Sequence, residues 1–231
     1  MAAICSDGDR PMEPVTFTTE DGIRLEGELR MPDGAARGAA VLCHPHPRHG
    51  GSKDHPLLWA IRNNLAGARG LAVLGFNFRG VMGSSGTYGG GRDELRDTRA
   101  AIEAARSHCG IQDPPTVVVG WSFGASVALR EALDDARVNA LALVGIPLRP
   151  GDVEMPPLPD RSDLRRFARP AVLLAGEHDR YAPPEDLRAY GALFPHAEVV
   201  VVPGTDHYFW RREKEAASVI GTFADRALTR P

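Results

Sequence analysis

Thr116-Val117-Val118-Val119-Gly120-Trp121-Ser122-Phe123-Gly124 is a run of β-branched residues that ends on a serine framed by glycines. β-Branched side chains favour extended backbone. The stretch that follows, Ala125 to Leu133, is rich in Ala and Leu and reads as a helix. The Ser122 hydroxyl is therefore expected on a tight strand-to-helix turn. Small neighbours let the chain bend sharply there and let a substrate come close. A helix starting at that point also directs free N–H groups toward whatever binds the serine.

On both sides of this turn, strands alternate with helices. Val15 to Thr19 and Ile23 to Met31 read as a β-hairpin around Asp21-Gly22. Gly38–Cys43, Leu71–Phe78, Val138–Val144, Ala171–Ala175 and Glu198–Val202 read as further strands. Leu57–Ala68, Asp93–His108, Pro184–Phe194 and Glu213–Leu228 have helical spacing, and a short helix is expected around Ser162 to Phe167. The pattern predicts an α/β fold: a mostly parallel, twisted sheet of about eight strands with helices on both faces and an antiparallel N-terminal hairpin. Residues 1–13 read as a flexible tail and 14–231 as one domain. The loops at 44–55, 80–91, 120–124, 176–183 and 203–209 all follow strands, so right-handed crossovers bring them to one edge of the sheet.

Composition narrows the function. The chain has 231 residues, 43% of them apolar, which suffices for one sizeable core. Its net charge is −3, with Lys and Arg scattered, so neither a nucleic-acid stripe nor a membrane-binding basic helix is expected. No apolar stretch approaches a bilayer span, and Met1 to Pro14 lacks the apolar run of a signal peptide. Cys5, Cys43 and Cys109 are far apart and odd in number, which implies no disulfide framework and points to the cytoplasm. Cys43 closes an apolar strand and reads as a small buried hydrophobe.

A serine hydroxyl is a weak nucleophile unless a base lies within hydrogen-bond reach and a third group orients that base. His207 follows the strand ending at Val202, in Pro203-Gly204-Thr205-Asp206-His207. Asp179 follows the strand ending at Ala175, in Gly176-Glu177-His178-Asp179. Asp206 and Asp152 compete for the acid role, although Asp206 adjoins His207 and neighbouring side chains in extended chain diverge. The order Ser122, Asp179, His207 is that of α/β-hydrolases.

The resemblance to that superfamily runs from the hairpin to the last helix. It rests on Val41-Leu42-Cys43-His44-Pro45-His46-Pro47, Asn77-Phe78-Arg79-Gly80, Gly120-Trp121-Ser122-Phe123-Gly124, Gly176-Glu177-His178-Asp179 and Gly204-Thr205-Asp206-His207. Together these resemble a small capless subgroup whose His-Pro-His-Pro loop replaces the His-Gly of other members. The resemblance implies the fold, the absence of a cap domain and a Ser-His-Asp triad; it says little about substrate. Relatives usually carry Gly where Met82 stands, so this loop is expected to approach the pocket differently.

One oxyanion-hole donor is expected to be the Phe123 backbone N–H. Pro45 and Pro47 have no N–H, which leaves His44 and His46 as the second donor, and the superfamily pattern favours His46. His44, His46, His49 and His55 match no standard zinc spacing, so they read as loop residues shaping the entrance, with no metal expected. Arg79 reads as a structural charge beneath the site, and Gly89-Gly90-Gly91 as a connection without the Lys-Ser/Thr of a phosphate loop. Trp121 is expected to pack below the turn. Phe123, Tyr208, Met155 and Leu158 are candidates for lining the substrate pocket.

The expected function is hydrolysis of carboxylic esters or thioesters through an acyl-enzyme on Ser122, without metal or organic cofactor. The substrate is a small molecule or an acyl group on a carrier. Larger relatives insert a lid after the sixth core strand. Residues 146–169 provide only a flap, so short acyl chains are expected to react best. Acyl transfer or peptide cleavage with the same residues, and a non-catalytic receptor on this fold, are the alternatives.

Overall fold

Asp21-Gly22 turns the first hairpin: Thr19 N–H donates to Ile23 O, and Gly22 N–H donates to Thr19 O, both at 2.9 Å. The computed structural model describes residues 11–229. In it β1 (Glu13–Thr18) and β2 (Arg24–Arg30) pair antiparallel, with Val15 opposite Gly27. Most of the expected tail lies outside the described residues, and β1 already begins at Glu13. Cys5 lies outside them too, while Cys43 and Cys109 are buried free thiols.

Six further strands run parallel to one another: β3 (Ala39–Cys43), β4 (Ala72–Phe76), β5 (Thr116–Trp121), β6 (Ala140–Val144), β7 (Ala171–Gly176) and β8 (Ala197–Val202). β2 joins them antiparallel through β4, giving one sheet in the order β1-β2-β4-β3-β5-β6-β7-β8. The chain leaves β3 toward β4 on one side and later returns to β5 on the other. A reversal of this kind opens a crevice beyond the strand C-termini, where α/β sheets bind ligands. The ends of β3 and β5, carrying Cys43-His44 and Ser122, flank that crevice.

The continuous apolar runs follow from burial on both faces. Val118 points into the layer formed by α2 (Glu94–His108), α3 (Phe123–Asp134) and α5 (Pro184–Gly191), with Ile102, Leu129 and Leu187. Val117 and Val119 point the other way, against Ile61 of α1 (Pro56–Asn63) and Ile220 of α6 (Glu213–Leu228). Between β6 and β7 the only helix is the six-residue α4 (Arg161–Arg166), and no cap domain is inserted.

Differences from the sequence reading are confined to element ends and loops. The helix expected over 57–68 is α-helical to Asn63 and then widens into a π turn, Asn64–Ala68, which keeps Leu65 and Ala66 buried. α5 stops at Gly191, a weak helix former, rather than at Phe194. The loop 44–55 contains a single 3₁₀ turn, Pro47–His49, opened by proline. No described helix is long and apolar enough to cross a membrane.

Arg79 ties three segments together beneath the ligand edge. Its guanidinium donates to Asp97 Oδ1 at 2.7 and 2.9 Å and to Asp21 Oδ2 at 2.9 Å, while its N–H donates to Asp97 Oδ2 at 2.9 Å. The Asp97 side chain is 0% exposed and that of Arg79 is 5% exposed. The hydrogen bond from Arg79 is the main reason the Asp21 carboxyl is pulled down to about 2. Removing one member of a buried pair strands the other charge, whereas replacing both with apolar residues does not. Asp97→Ala is therefore expected to destabilise the fold by roughly 3–5 kcal/mol in urea unfolding, and Arg79→Met/Asp97→Leu by much less. Equal losses in the two proteins would refute this account of the network.

Candidate active site

β5 runs straight into α3 with Ser122 between them, at φ 56° and ψ −119°. That backbone is unfavourable for a residue with a Cβ, and neighbouring bonds hold it. Ser122 N–H donates to Val144 O at the end of β6 (2.8 Å), and Ser122 O accepts from Ala125 and Ser126 N–H at 2.9 and 3.3 Å. Phe123 is the first helical residue, so its N–H has no acceptor within the helix. A Cβ on Gly124 would collide with the carbonyls of Cys43 and His44, so glycine is what lets the turn press against the end of β3.

Asp179 and His207 meet behind the serine. His207 Nδ1–H donates to Asp179 Oδ2 at 2.8 Å. Asp179 Oδ1 accepts from the Tyr181 and Ala182 N–H groups at 2.9 and 3.0 Å, so neither carboxylate oxygen is free to rotate away. Trp121 Nε1–H donates to His207 O at 3.2 Å, which fixes the loop from below. With Nδ1 committed as donor, His207 Nε2 is left as the acceptor. Among the described residues no hydrogen bond joins Nε2 to Ser122 Oγ, yet Ser122 and His207 line the same cleft. Asp206 instead accepts from Tyr208 N–H on the surface (2.9 Å), and Asp152 is exposed.

The histidines of the 44–55 loop have separate tasks. His44 is fully buried; its Nε2 accepts from Phe78 N–H at 3.0 Å and its Nδ1–H donates to Pro45 O at 2.6 Å. Burial pushes this imidazole down to about 4, so it is a neutral strut between β3 and the segment after β4. His46 Nδ1 accepts from Arg48 N–H at 3.1 Å, and its Nε2–H donates to Glu154 O at 2.8 Å. Its ring centroid lies 5.0 Å from that of Phe123, and burial lowers its pKa as well. His55 caps α1 by accepting from Leu57 N–H at 3.2 Å. Among the described residues no group of three or more His, Cys, Asp or Glu side chains converges as a metal site would require.

The cleft itself encloses about 170 Å³. Met155 and Tyr208 line it, as do Val153 and Tyr181. Leu158 does not: it faces a separate groove beside Arg130 and Phe167. The reason is local, since Pro156 is buried under Gly91 while Arg130 donates to Pro157 O at 2.8 Å, which turns the next residue away. Phe123 is fully buried and packs beneath the cleft. Met82 is 75% exposed and stands outside the cleft lining, in the left-handed conformation (φ 50°) that glycine adopts freely.

Sequence reading passed over Gly145. It has φ 53°, and a Cβ there would lie 2.9 Å from His207 Cε1 and 3.2 Å from Asp179 Oδ2. A glycine directly after the buried strand β6, at the ligand edge, was the available signal. The Tyr181 ring packs edge-on to His207 at 4.9 Å.

The His44 strut carries a pH signature. Its folded pKa is about 4, below the ordinary value of 6.5, so the contribution is complete above 6.5 and is lost as pH falls toward 4. That gap corresponds to about 3 kcal/mol. Urea unfolding across this window should show a flatter pH dependence in His44→Gln than in the parent. An unchanged slope would mean that His44 is not buried neutral.

Comparison with known proteins agrees with this architecture. Residues 38–228 match the family model described as the alpha/beta hydrolase domain. An α/β serine hydrolase homologue from Coxiella burnetii has a TM-score of 0.78 and 27% identity, covering 91% of this chain and 96% of that one. An α/β serine hydrolase without a lid, from Xanthomonas campestris, gives 0.77 at 23% identity over 96% and 98% of the two chains, a likeness of fold. A monoacylglycerol lipase from Mycolicibacterium smegmatis is 32% identical over 117 residues, which is 48% of this chain and 38% of the lipase. The chain belongs to the α/β hydrolase domain family.

Proposed function

We propose that the protein is a serine hydrolase of carboxylic esters or thioesters. The observation that carries this reading is the 2.8 Å bond from His207 to Asp179 at the cleft that Ser122 also lines. The bond leaves the imidazole with a basic nitrogen and a fixed orientation, which is what a serine nucleophile needs. His207 Nε2 takes the Ser122 proton as Oγ attacks the carbonyl carbon. The same proton is then delivered to the departing alcohol or thiol, and the Ser122 acyl ester remains. Water repeats the sequence and releases the acid. Free enzymes commonly hold the serine–histidine pair loosely, and substrate tightens it.

The oxyanion is assigned to the N–H groups of Phe123 and His46. The first is an unpaired helix-start amide, and the second sits on the loop that Gly124 allows to lie against the turn. The His46 ring supports that role indirectly, because its bonds to Arg48 N–H and Glu154 O hold the loop in shape. Asp179 keeps the imidazole oriented and stabilises its charged form. The M. smegmatis relative is a lipase, which supports ester chemistry.

A fluorophosphonate probe should label Ser122 in the folded protein, and Ser122→Ala should lose both the label and turnover of p-nitrophenyl acetate. The expected loss is on the order of 10⁴-fold or more, with the melting temperature within a few degrees of the parent. A folded protein that takes no label would sink the hydrolase reading and leave a receptor. The cleft volume of about 170 Å³ is small for a long acyl chain. p-Nitrophenyl esters of C2–C4 acids should therefore turn over faster than those of C12, and the reverse order would contradict the proposed site shape.

A further inference from the structure

We infer that Tyr208 and Trp210, with His55, form an aromatic shelf that receives the leaving-group half of the substrate, and that this half carries a planar aromatic ring. The inference rests on the hydrolase reading above, which sets its direction. His207 must hand its proton to the leaving group, so that group lies on the His207 side of Ser122. The rings gather on that side. The Tyr208 ring stands edge-on to the His207 imidazole at 5.7 Å and stacks with Trp210 at 6.3 Å and 24°. His55 lies 5.7 Å from Trp210 and 4.3 Å from Trp121. Tyr208, His55 and Trp121 line the cleft itself, so the shelf is continuous with it.

Two features separate this arrangement from ordinary surface aromatics. Tyr208 and Trp210 remain 45% and 55% exposed, although solvent-facing rings of this size gain little stability for the fold. Phe209 between them is fully buried, so the outward display alternates with an anchor. Phe209 and Arg211 also both adopt left-handed backbone, at φ 56° and 64°, on either side of Trp210. Strained backbone of this kind persists where the surroundings impose it and gathers at functional sites. Apolar area alone would favour a saturated ring over a flat one, because the saturated ring is larger. A shelf of rings favours the flat one through offset or edge-on contact.

Benzyl butyrate and cyclohexylmethyl butyrate separate these outcomes, since acyl group and leaving-group acidity are nearly shared and only ring character differs. Calorimetric titration of the Ser122→Ala protein should give a benzyl Kd about three- to ten-fold lower. Adding Trp210→Leu, which keeps apolar bulk, should bring the ratio to about one. In the enzyme with Ser122 intact, the preference should appear in KM, with the kcat ratio little changed. A Kd ratio near one in Ser122→Ala, or a benzyl preference that survives Trp210→Leu, would overturn the shelf. Failure of the hydrolase reading looks different: neither ester is turned over, while the binding preference and its loss in Trp210→Leu persist and uphold the shelf as a binding site.

Discussion

The backbone of Ser122, held at φ 56° and ψ −119°, is the constraint around which the ligand edge is arranged. A non-glycine residue in such a region costs roughly 1–3 kcal/mol and survives only when its neighbours over-determine it. The neighbours are strands and helix together: Val144 O holds the Ser122 N–H, and two helical amides hold its carbonyl. The turn can also press against β3 because Gly124 has no side chain to meet the Cys43 and His44 carbonyls. Bringing those two strand ends together is what the reversal of strand order at β3 makes possible. Topology, glycine and strained serine are therefore one device, and the loop carrying His46 is placed by the same approach.

The histidines show how hydrogen bonding, rather than position in the sequence, divides labour among identical side chains. His44 has both nitrogens engaged in the interior and is held neutral by burial. His46 has its nitrogens committed to Arg48 and Glu154, so it clasps its own loop to the segment that walls the cleft. Among the described residues only Nδ1 of His207 is bonded, and that single difference leaves a nitrogen for proton transfer in the proposed mechanism. His178, next to Asp179 in sequence, lies on the surface 3.9 Å from Glu177 and takes no part.

Much of this was legible in the sequence because it depends on short-range pattern. Continuous apolar runs announced the parallel strands, Asp21-Gly22 announced the hairpin, and the glycines around Ser122 announced the turn. Asp179 and His207 could be shortlisted because both follow strands, but choosing Asp179 over Asp206 depends on which carboxylate faces the imidazole, and that is decided across the sheet. Leu158 and Met155 looked equivalent three residues apart, and only the pinning of Pro156 and Pro157 by Gly91 and Arg130 sends them to different grooves. The outward display of Trp210 was invisible for a related reason. It requires left-handed backbone at Phe209 and Arg211, and neither residue type advertises it.

In place of a cap, the chain from Pro147 to Pro159 runs along the cleft with almost no secondary structure of its own. Prolines at 147, 150, 156, 157 and 159 restrict its unfolded conformations, so less entropy is lost when it is ordered. Two side chains of the body then fasten it, His46 at Glu154 O and Arg130 at Pro157 O, and the Gly91 backbone packs against the Pro156 ring. The result is an apolar stretch of cleft wall, with Val153 and Met155, in a lining that also holds Ser122 and the Tyr181 and Tyr208 rings. A wall that is fixed rather than hinged does not close over substrate, so less water is excluded and the electrostatic gain of a sealed site is forgone. For the hydrolase proposed above, that arrangement puts more of the burden on fixed backbone donors. The donors assigned in that proposal sit at the start of α3 and on the loop clasped by His46.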